Sequence, residues 1–238
     1  MKFIPYESRF KAGEILAEFI LSKNPVIKKI ISNKIENVFL FAIPNGGVPV
    51  AEGFCGVLNI NFDVLIVRKI KIPNNPEAGF GSITTDGTVL INEALLSRLT
   101  LSENSIKNSI ETTKSEIRKR IEFYNKTTDI ESSYNSLINN NYVFIMDDGL
   151  ASGFTMLAAI KMIKKYNPKQ LYIGIPTAPL HTITRIQHEV DEIYCPNIRK
   201  TSWFAVADAY KHWYDVSESE VLKIIKNSKF YFKGKKLS

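Results

Sequence analysis

Residues 142–156, YVFIMDDGLASGFTM, join an apolar run to two adjacent carboxylates and then to small and hydroxyl residues that open into a helical pattern. The apolar run at 142–146 is typical of a buried parallel strand. Asp147 and Asp148 therefore fall at the carboxyl end of that strand, which is where open α/β sheets bind ligands. The segment predicts a strand, a binding loop and a helix, in that order.

The residue types of this loop suit a ribose phosphate. Neighbouring carboxylates can each accept a charge-assisted hydrogen bond from the two vicinal hydroxyls of a ribose. The small residues allow main-chain N–H groups to close around an anion at a helix N-terminus. We predict that Asp147 and Asp148 hold the sugar and that the following residues hold its 5-phosphate. These are Gly149, Leu150, Ala151, Ser152, Gly153, Phe154 and Thr155.

Apolar runs and helical patterns alternate along most of the chain. Strands are predicted at 38–43, 62–67, 142–147, 171–176 and 190–195, and helices at 8–22, 48–58, 153–166 and about 179–188. The alternation predicts an α/β fold with a parallel central sheet flanked by helices.

Two regions depart from this alternation. Residues 70–92 are rich in Pro, Gly and Asn and end in a hairpin signal at Asp86-Gly87; a long polar helix at about 103–124 and a polar loop at 125–141 follow. Residues after 197 are aromatic and irregular, with a helix capped by Ser217. We predict a single domain over 1–238, with a flap and helix insertion at about 70–140 and a hood at about 197–238.

Composition narrows the possibilities only slightly. The net charge of +7 is compatible with nucleic acid binding, but also with a basic cleft for a polyanionic small substrate. Cys55 and Cys195 have no metal-ligand spacing, and the three histidines have none either, so we predict buried free thiols and no protein-built metal site. The N-terminus has no apolar leader and no run reaches membrane-spanning length, so we expect a cytoplasmic protein without membrane contact.

Residues 142–155 resemble the 5-phosphoribosyl-1-diphosphate (PRPP) signature of type I phosphoribosyltransferases. A second string, Pro44-Asn45-Gly46-Gly47-Val48-Pro49-Val50, is similar to the Pro-Arg-Gly-Gly-Val-Pro-Val of one branch whose substrate is uncharacterised. The resemblance implies that Asn45, Gly46 and Gly47 bind diphosphate. Because Asn45 replaces an arginine, the charge would come from Arg68 and Lys69, which we place at the end of the strand 62–67.

A third string extends the resemblance over most of the chain. Residues 68–83 look like the Arg-Lys-x-x-x-Pro-x-Asn-Pro-Glu string of the same branch, which implies a mobile flap with Glu77 as a polar contact. The aromatic segment from Trp203 to Tyr214 also recurs there, and Trp203 and Phe204 are the predicted platform for a planar base. Ala151 stands where hypoxanthine-guanine enzymes place an Asp, which disfavours a 6-oxopurine.

The implied reaction transfers 5-phosphoribosyl from PRPP to a nitrogenous base and releases diphosphate. Asp147, Asp148, Arg68 and Lys69 would be the catalytic residues, and Mg²⁺ would be held mainly through PRPP and water. The partners would be these small molecules and a second copy in a homodimer.

Two alternatives remain open. One is a PRPP- or nucleotide-sensing regulator that binds nucleic acid through the basic helix around 114–120. The other is a hydrolase or phosphorylase of a phosphoribosyl compound, which an open flap and a missing base platform would favour.

Overall fold

The computed structural model describes residues 3–33, 37–124, 126, 129–201 and 203–233, without the side chains of residues 76 and 77. The predicted flap contact Glu77 therefore lies outside the described side chains. The strands of the described chain are β1 (Val38–Ala42), β2 (Asn61–Val64), β3 (Val67–Ile72), β4 (Asn75–Thr84), β5 (Val89–Ile91), β6 (Tyr142–Met146), β7 (Gln170–Gly174), β8 (Thr177–Pro179), β9 (Glu192–Tyr194) and β10 (Asn197–Arg199). The helices are α1 (Arg9–Lys23), α2 (Pro25–Asn33), α3 (Gly47–Leu58), α4 (Glu93–Leu96), α5 (Glu103–Phe123), α6 (Ile130–Ile138), α7 (Phe154–Lys164), α8 (Leu180–Ile186) and α9 (Glu218–Asn227).

A parallel five-stranded sheet in the order β2-β1-β6-β7-β9 forms the centre of the fold. Two large apolar clusters cover its opposite faces, because side chains alternate along each strand: Leu40 and Phe144 belong to one cluster, Phe41 and Ile145 to the other. The predicted parallel α/β fold is confirmed. Since β1 and β6 are neighbours in register, with Ala42 opposite Met146, the loops that follow them emerge side by side.

The insertion contains an antiparallel sheet, β3-β4-β5, with the long helix α5 beside it. The predicted hairpin at Asp86-Gly87 is confirmed: Asp86 Oδ1 accepts hydrogen bonds from the hydroxyls of Thr84 and Thr88 and closes the turn. The predicted strand 62–67 was wrong. It is two strands, because the chain leaves the parallel sheet after Val64 and begins the antiparallel sheet at Val67.

Three helices were missed by the sequence prediction: the four-residue α4, and α2 and α6. The predicted polar loop at 125–141 contains α6, which is capped by the Asp129 carboxylate and buries Tyr134, Leu137 and Ile138. Helix α2 follows α1 with one intervening residue, Asn24, whose side-chain oxygen accepts from the Ile27 N–H. Helices α2 and α6 are nine residues long, and such short segments carry a weak periodic signal.

The N-terminal segment joins the aromatic region near the C-terminus. Residues 203–216, here called the hood segment, include a short 3₁₀ helix, Val206–Ala209. Tyr6 forms a β-bridge with Tyr210, and both side chains are buried together with Ala12 and Ala209. Cys55 and Cys195 are free and buried, as predicted. Within the described ranges, none of the helices has the length and apolarity needed to cross a membrane.

Candidate functional site

The loops after β1 and β6 are in direct contact. The Ile43 N–H donates to the Met146 carbonyl oxygen at 2.8 Å, which extends the strand pairing beyond Ala42. A Cβ atom on Gly46 would lie 2.0 Å from Asp148 Oδ2, and one on Gly47 would lie 2.8 Å from the Met146 carbonyl oxygen. The glycine pair therefore allows the backbone to approach the two carboxylates closely. The peptide bond between Pro44 and Asn45 is cis.

An open cavity of about 440 Å³ lies where these loops meet. It brings together four of the predicted site residues, which come from three separate stretches of sequence. They are Asn45, Gly46, Arg68 and Asp148. The other walls come from Arg9 on α1 and from four residues of the hood segment, Val206, Trp213, Asp215 and Val216. Carboxylate groups, the Gly46 backbone and guanidinium groups thus line one solvent-accessible space.

Arg9 is the residue that the sequence prediction missed. Its Nε donates to Asp148 Oδ2 at 2.7 Å, and its side chain is only 6% exposed. The guanidinium lies 4.0 Å from the centre of the Trp213 ring, and Nη1 donates to the Tyr214 carbonyl oxygen at 2.9 Å. Arg9 therefore fixes Asp148 and attaches the hood segment to it.

A signal for Arg9 was present in the sequence. The buried face of α1 comprises Arg9, Ala12, Gly13, Leu16, Ala17 and Ile20, a spacing of three and four residues. Phe10, an apolar residue within the predicted helix at 8–22, is 46% exposed. Extending the face of small residues back by one turn places an arginine on it, and a buried arginine requires a partner.

Asp147 is in a different environment from Asp148. Its Oδ1 accepts a hydrogen bond from the Asp148 N–H at 2.8 Å. Burial, and secondly the Asp148 carboxylate, raise the pKa of Asp147 well above its usual range. The folded state thus binds a proton at Asp147 more tightly than the unfolded chain does. Asp147 therefore lowers the free energy of unfolding increasingly as pH rises from its pKa in the unfolded chain towards its higher pKa in the folded protein.

Asp147→Asn should therefore stabilise the protein. The amide oxygen can still accept from the Asp148 N–H, while the cost of a buried charge is removed. We expect a gain of about 1 kcal/mol in the free energy of unfolding at pH 8, a typical size for stabilising changes, shrinking at pH 5. Urea unfolding at both pH values measures it. Asp148→Asn is the matched control and should be destabilising, because it leaves Arg9 without its carboxylate. A gain of equal size at both pH values would contradict the assigned cause.

The small-residue loop ends at the N-terminus of α7, as predicted. Gly153 caps the helix with φ +72°, a left-handed conformation that favours glycine. Two hydrogen bonds to neighbouring segments fix the loop. The Leu150 N–H donates to the Thr177 carbonyl oxygen, and the Thr182 hydroxyl donates to the Ala151 carbonyl oxygen. Ala151 and Ser152 are exposed, while Phe154 and Thr155 are half-buried in the first turn. The loop can present main-chain N–H groups to solvent.

The other predicted residues lie around this centre. Arg68 and Lys69 belong to β3 rather than to the end of a parallel strand, so they point to opposite faces; Arg68 lines the cavity and Lys69 is exposed. Phe204 is half-buried and Trp203 is 91% exposed, and neither lines the cavity. Trp213 is the aromatic residue that does.

The charges of α5 are largely compensated. Lys114 pairs with Glu111 on the surface, and Arg120 pairs with Glu218 of α9. Glu116, between them, contacts both Arg68 and Lys71 of β3. Of the basic residues at 114–120, Lys114 and Arg120 are thus engaged in ion pairs, while Arg118 and Lys119 are exposed.

The donor set fits a metal ion bound through a substrate. Among the described residues, no group of three His, Cys, Asp or Glu side chains converges on one point. Asp148 and Asp215 are the acidic residues that line the cavity, with Asp147 adjacent in the chain, and Asp148 already pairs with Arg9. Mg²⁺ readily accepts such a site, since it retains water and substrate oxygens as ligands.

Residues 13–214 match the phosphoribosyl transferase domain family. A candidate phosphoribosyl transferase of Mycobacterium tuberculosis H37Rv, Rv0571c, is 28% identical over 189 residues, as is its counterpart MT0597 in strain CDC 1551. These alignments cover 79% of this chain and 41% of the relatives, so the chain spans about two fifths of their length. The crystal structure of TT1426 from Thermus thermophilus has a TM-score of 0.70 at 23% identity, covering 93% of this chain and 97% of that one. That likeness concerns the fold.

Proposed function

The chain belongs to the phosphoribosyl transferase family of enzymes, and on that premise we propose that it transfers 5-phosphoribosyl from PRPP to a nitrogen of a base and releases diphosphate. The observation that carries this proposal is the contact between the two loops. Gly46 and Asp148 line one cavity and lie so close together that no side chain fits between them, and Gly47 approaches Asp147 beside them. A ribose with an anionic group at either end requires that arrangement of acceptors and donors.

Each part of the site has a role in this reaction. Asp147 accepts from the ribose hydroxyls, and Asp148 does so with Oδ1, since Oδ2 is engaged by Arg9. Main-chain N–H groups between Gly149 and Thr155 hold the 5-phosphate. Asn45, Gly46 and Gly47 receive the diphosphate, with Arg68 as a cation. Lys69, on the exposed face of β3, is the second cation.

Breaking the bond at the anomeric carbon develops positive charge on the sugar and negative charge on the leaving group. The residues therefore act by positioning both ends of PRPP and by stabilising the leaving diphosphate. Bound Mg²⁺ would neutralise diphosphate charge, held through substrate oxygens and water with Asp147 nearby. The antiparallel flap β3-β4-β5 would exclude water that competes with the base.

The base would lie beneath the hood segment. Trp213 and Val206 line the cavity and supply an aromatic face and an aliphatic wall. Trp203 and Phe204 lie outside that cavity and can contact a base only after the hood segment moves or when the base carries a large substituent. The acceptor is accordingly a nitrogenous base placed against Trp213.

The test is diphosphate release from PRPP and Mg²⁺ with a panel of purines, pyrimidines and amines. Asp147→Asn is the blank, since we expect it to fold well and to hold ribose poorly. Release that depends on one acceptor is expected. Release without any acceptor would instead identify a hydrolase. Absence of release, combined with PRPP binding by the wild type and salt-sensitive RNA binding, would identify a sensor.

A further inference from the structure

The Asn45 side chain connects the loop after β1 to two distant segments. Its Nδ2 donates to the Val216 carbonyl oxygen at 2.8 Å, and its Oδ1 accepts from Arg120 Nη1 at 3.4 Å. The first contact reaches the hood segment and the second reaches α5. Asn45 thus places the Arg120 guanidinium of α5 next to the loop after β1, where the side chain at position 45 itself carries no charge.

Arg120 is fixed in this position. Its side chain is 13% exposed, its Nη1 lies 3.5 Å from the Tyr124 hydroxyl, and its Nη2 pairs with Glu218. Glu218 stands in the first turn of α9, immediately after the Ser217 cap, and its side chain is 41% exposed. The cation of this pair is therefore buried and held by several partners, whereas its carboxylate is on the surface and can rotate into solvent.

Arg68, which lines the cavity, is also paired with a carboxylate. Its Nε lies 3.5 Å from Glu116 Oε2, close enough for an ion pair, but makes no hydrogen bond to the described atoms. Both members of this pair are about one third exposed, at 31% and 32%. The Arg68 guanidinium can therefore still donate a hydrogen bond to an anion that enters the cavity.

We propose that Arg120 is a further diphosphate-binding residue, which Asn45 holds at the loop, and that Glu218 is its exchangeable counter-ion. Diphosphate replaces Glu218 on Arg120 as it enters, and Glu218 returns as it leaves. Arg120 supplies the charge that the loop lacks at position 45. The inference deepens the proposed function and rests on it.

The experiment is isothermal titration of inorganic pyrophosphate in magnesium buffer, with thermal unfolding of every variant. Arg120→Gln should weaken binding about tenfold or more, the effect of losing a charged hydrogen bond. Glu218→Gln should strengthen binding about threefold, since an exposed competing carboxylate is removed. Arg118→Gln, the same change at an exposed position on α5, should stay within about twofold. Asn45→Arg combined with Arg120→Gln should restore binding.

Arg120→Gln and Glu218→Gln are expected to change the affinity for pyrophosphate in opposite directions. This distinguishes the proposal from an ion pair with a purely structural role. Breaking a purely structural bridge from either side would lower affinity in both variants, and that result would overturn the proposal. Equal affinities of Arg120→Gln and Arg118→Gln would also overturn it, while the transferase assignment would stand on the acceptor assay. If wild-type protein fails to bind pyrophosphate, both the loop assignment and this proposal are overturned.

Discussion

Arg9→Met should cost about 3–5 kcal/mol of unfolding free energy, the penalty for leaving one member of a buried ion pair without its partner. Asp148 is 15% exposed and would lose the guanidinium that pairs with it. The substitution also removes the stacking on Trp213 and the hydrogen bond to the Tyr214 carbonyl oxygen. Urea unfolding measures the loss, and we expect weaker PRPP binding in the same variant because the hood segment is released.

Lys11→Met is the matched control for this result. Lys11 lies on the same helix and pairs with Glu14 at 2.8 Å, but its side chain is 54% exposed, so its removal should leave the free energy of unfolding nearly unchanged. Adding Asp148→Asn to Arg9→Met should recover part of the lost stability, since the unpaired charge disappears. If Arg9→Met costs no more than Lys11→Met, Arg9 does not anchor the site.

The parts of the site that the sequence predicted are local. The strand β6, the two carboxylates, the small-residue loop and the start of α7 follow one another within 142–154, and each has its own pattern. The strand β1 and the glycine pair were recognised in the same way. Loops at the carboxyl ends of adjacent parallel strands must emerge together, so the meeting of the two loops follows from the fold class.

The contacts that complete the site are not local. Arg9 and Asp148 are separated by 139 residues, and Asn45 and Arg120 by 75. A sequence pattern identifies which residue types are present but not which distant side chain meets them. The position of Arg68 was mistaken for a related reason: an apolar run at 62–67 does not reveal that the chain changes sheets within it.

Gly46→Ala should abolish PRPP-dependent diphosphate release while the protein still folds. Gly46 has φ −63° and ψ −31°, so its backbone accepts any residue, and only the contact with Asp148 excludes a side chain. A methyl group 2.0 Å from Asp148 Oδ2 must displace the Asp148 carboxylate, which Arg9 holds in place. A displacement on the order of 1 Å at such a site lowers turnover about 100-fold, and overpacking of this kind costs about 1–3 kcal/mol of stability.

Gly56→Ala, in the helix α3 that follows this loop, is the control that isolates the contact. A Cβ atom there meets nothing closer than 3.9 Å, and the residue is exposed on the helix surface. Alanine should raise the unfolding free energy by about 0.5–1 kcal/mol, because glycine in a helix is entropically costly, and should leave turnover unchanged. Equal activity of the two alanine variants would mean that the close approach of Gly46 and Asp148 is not required. A loss confined to Gly46→Ala would place the reaction at the junction of the two loops.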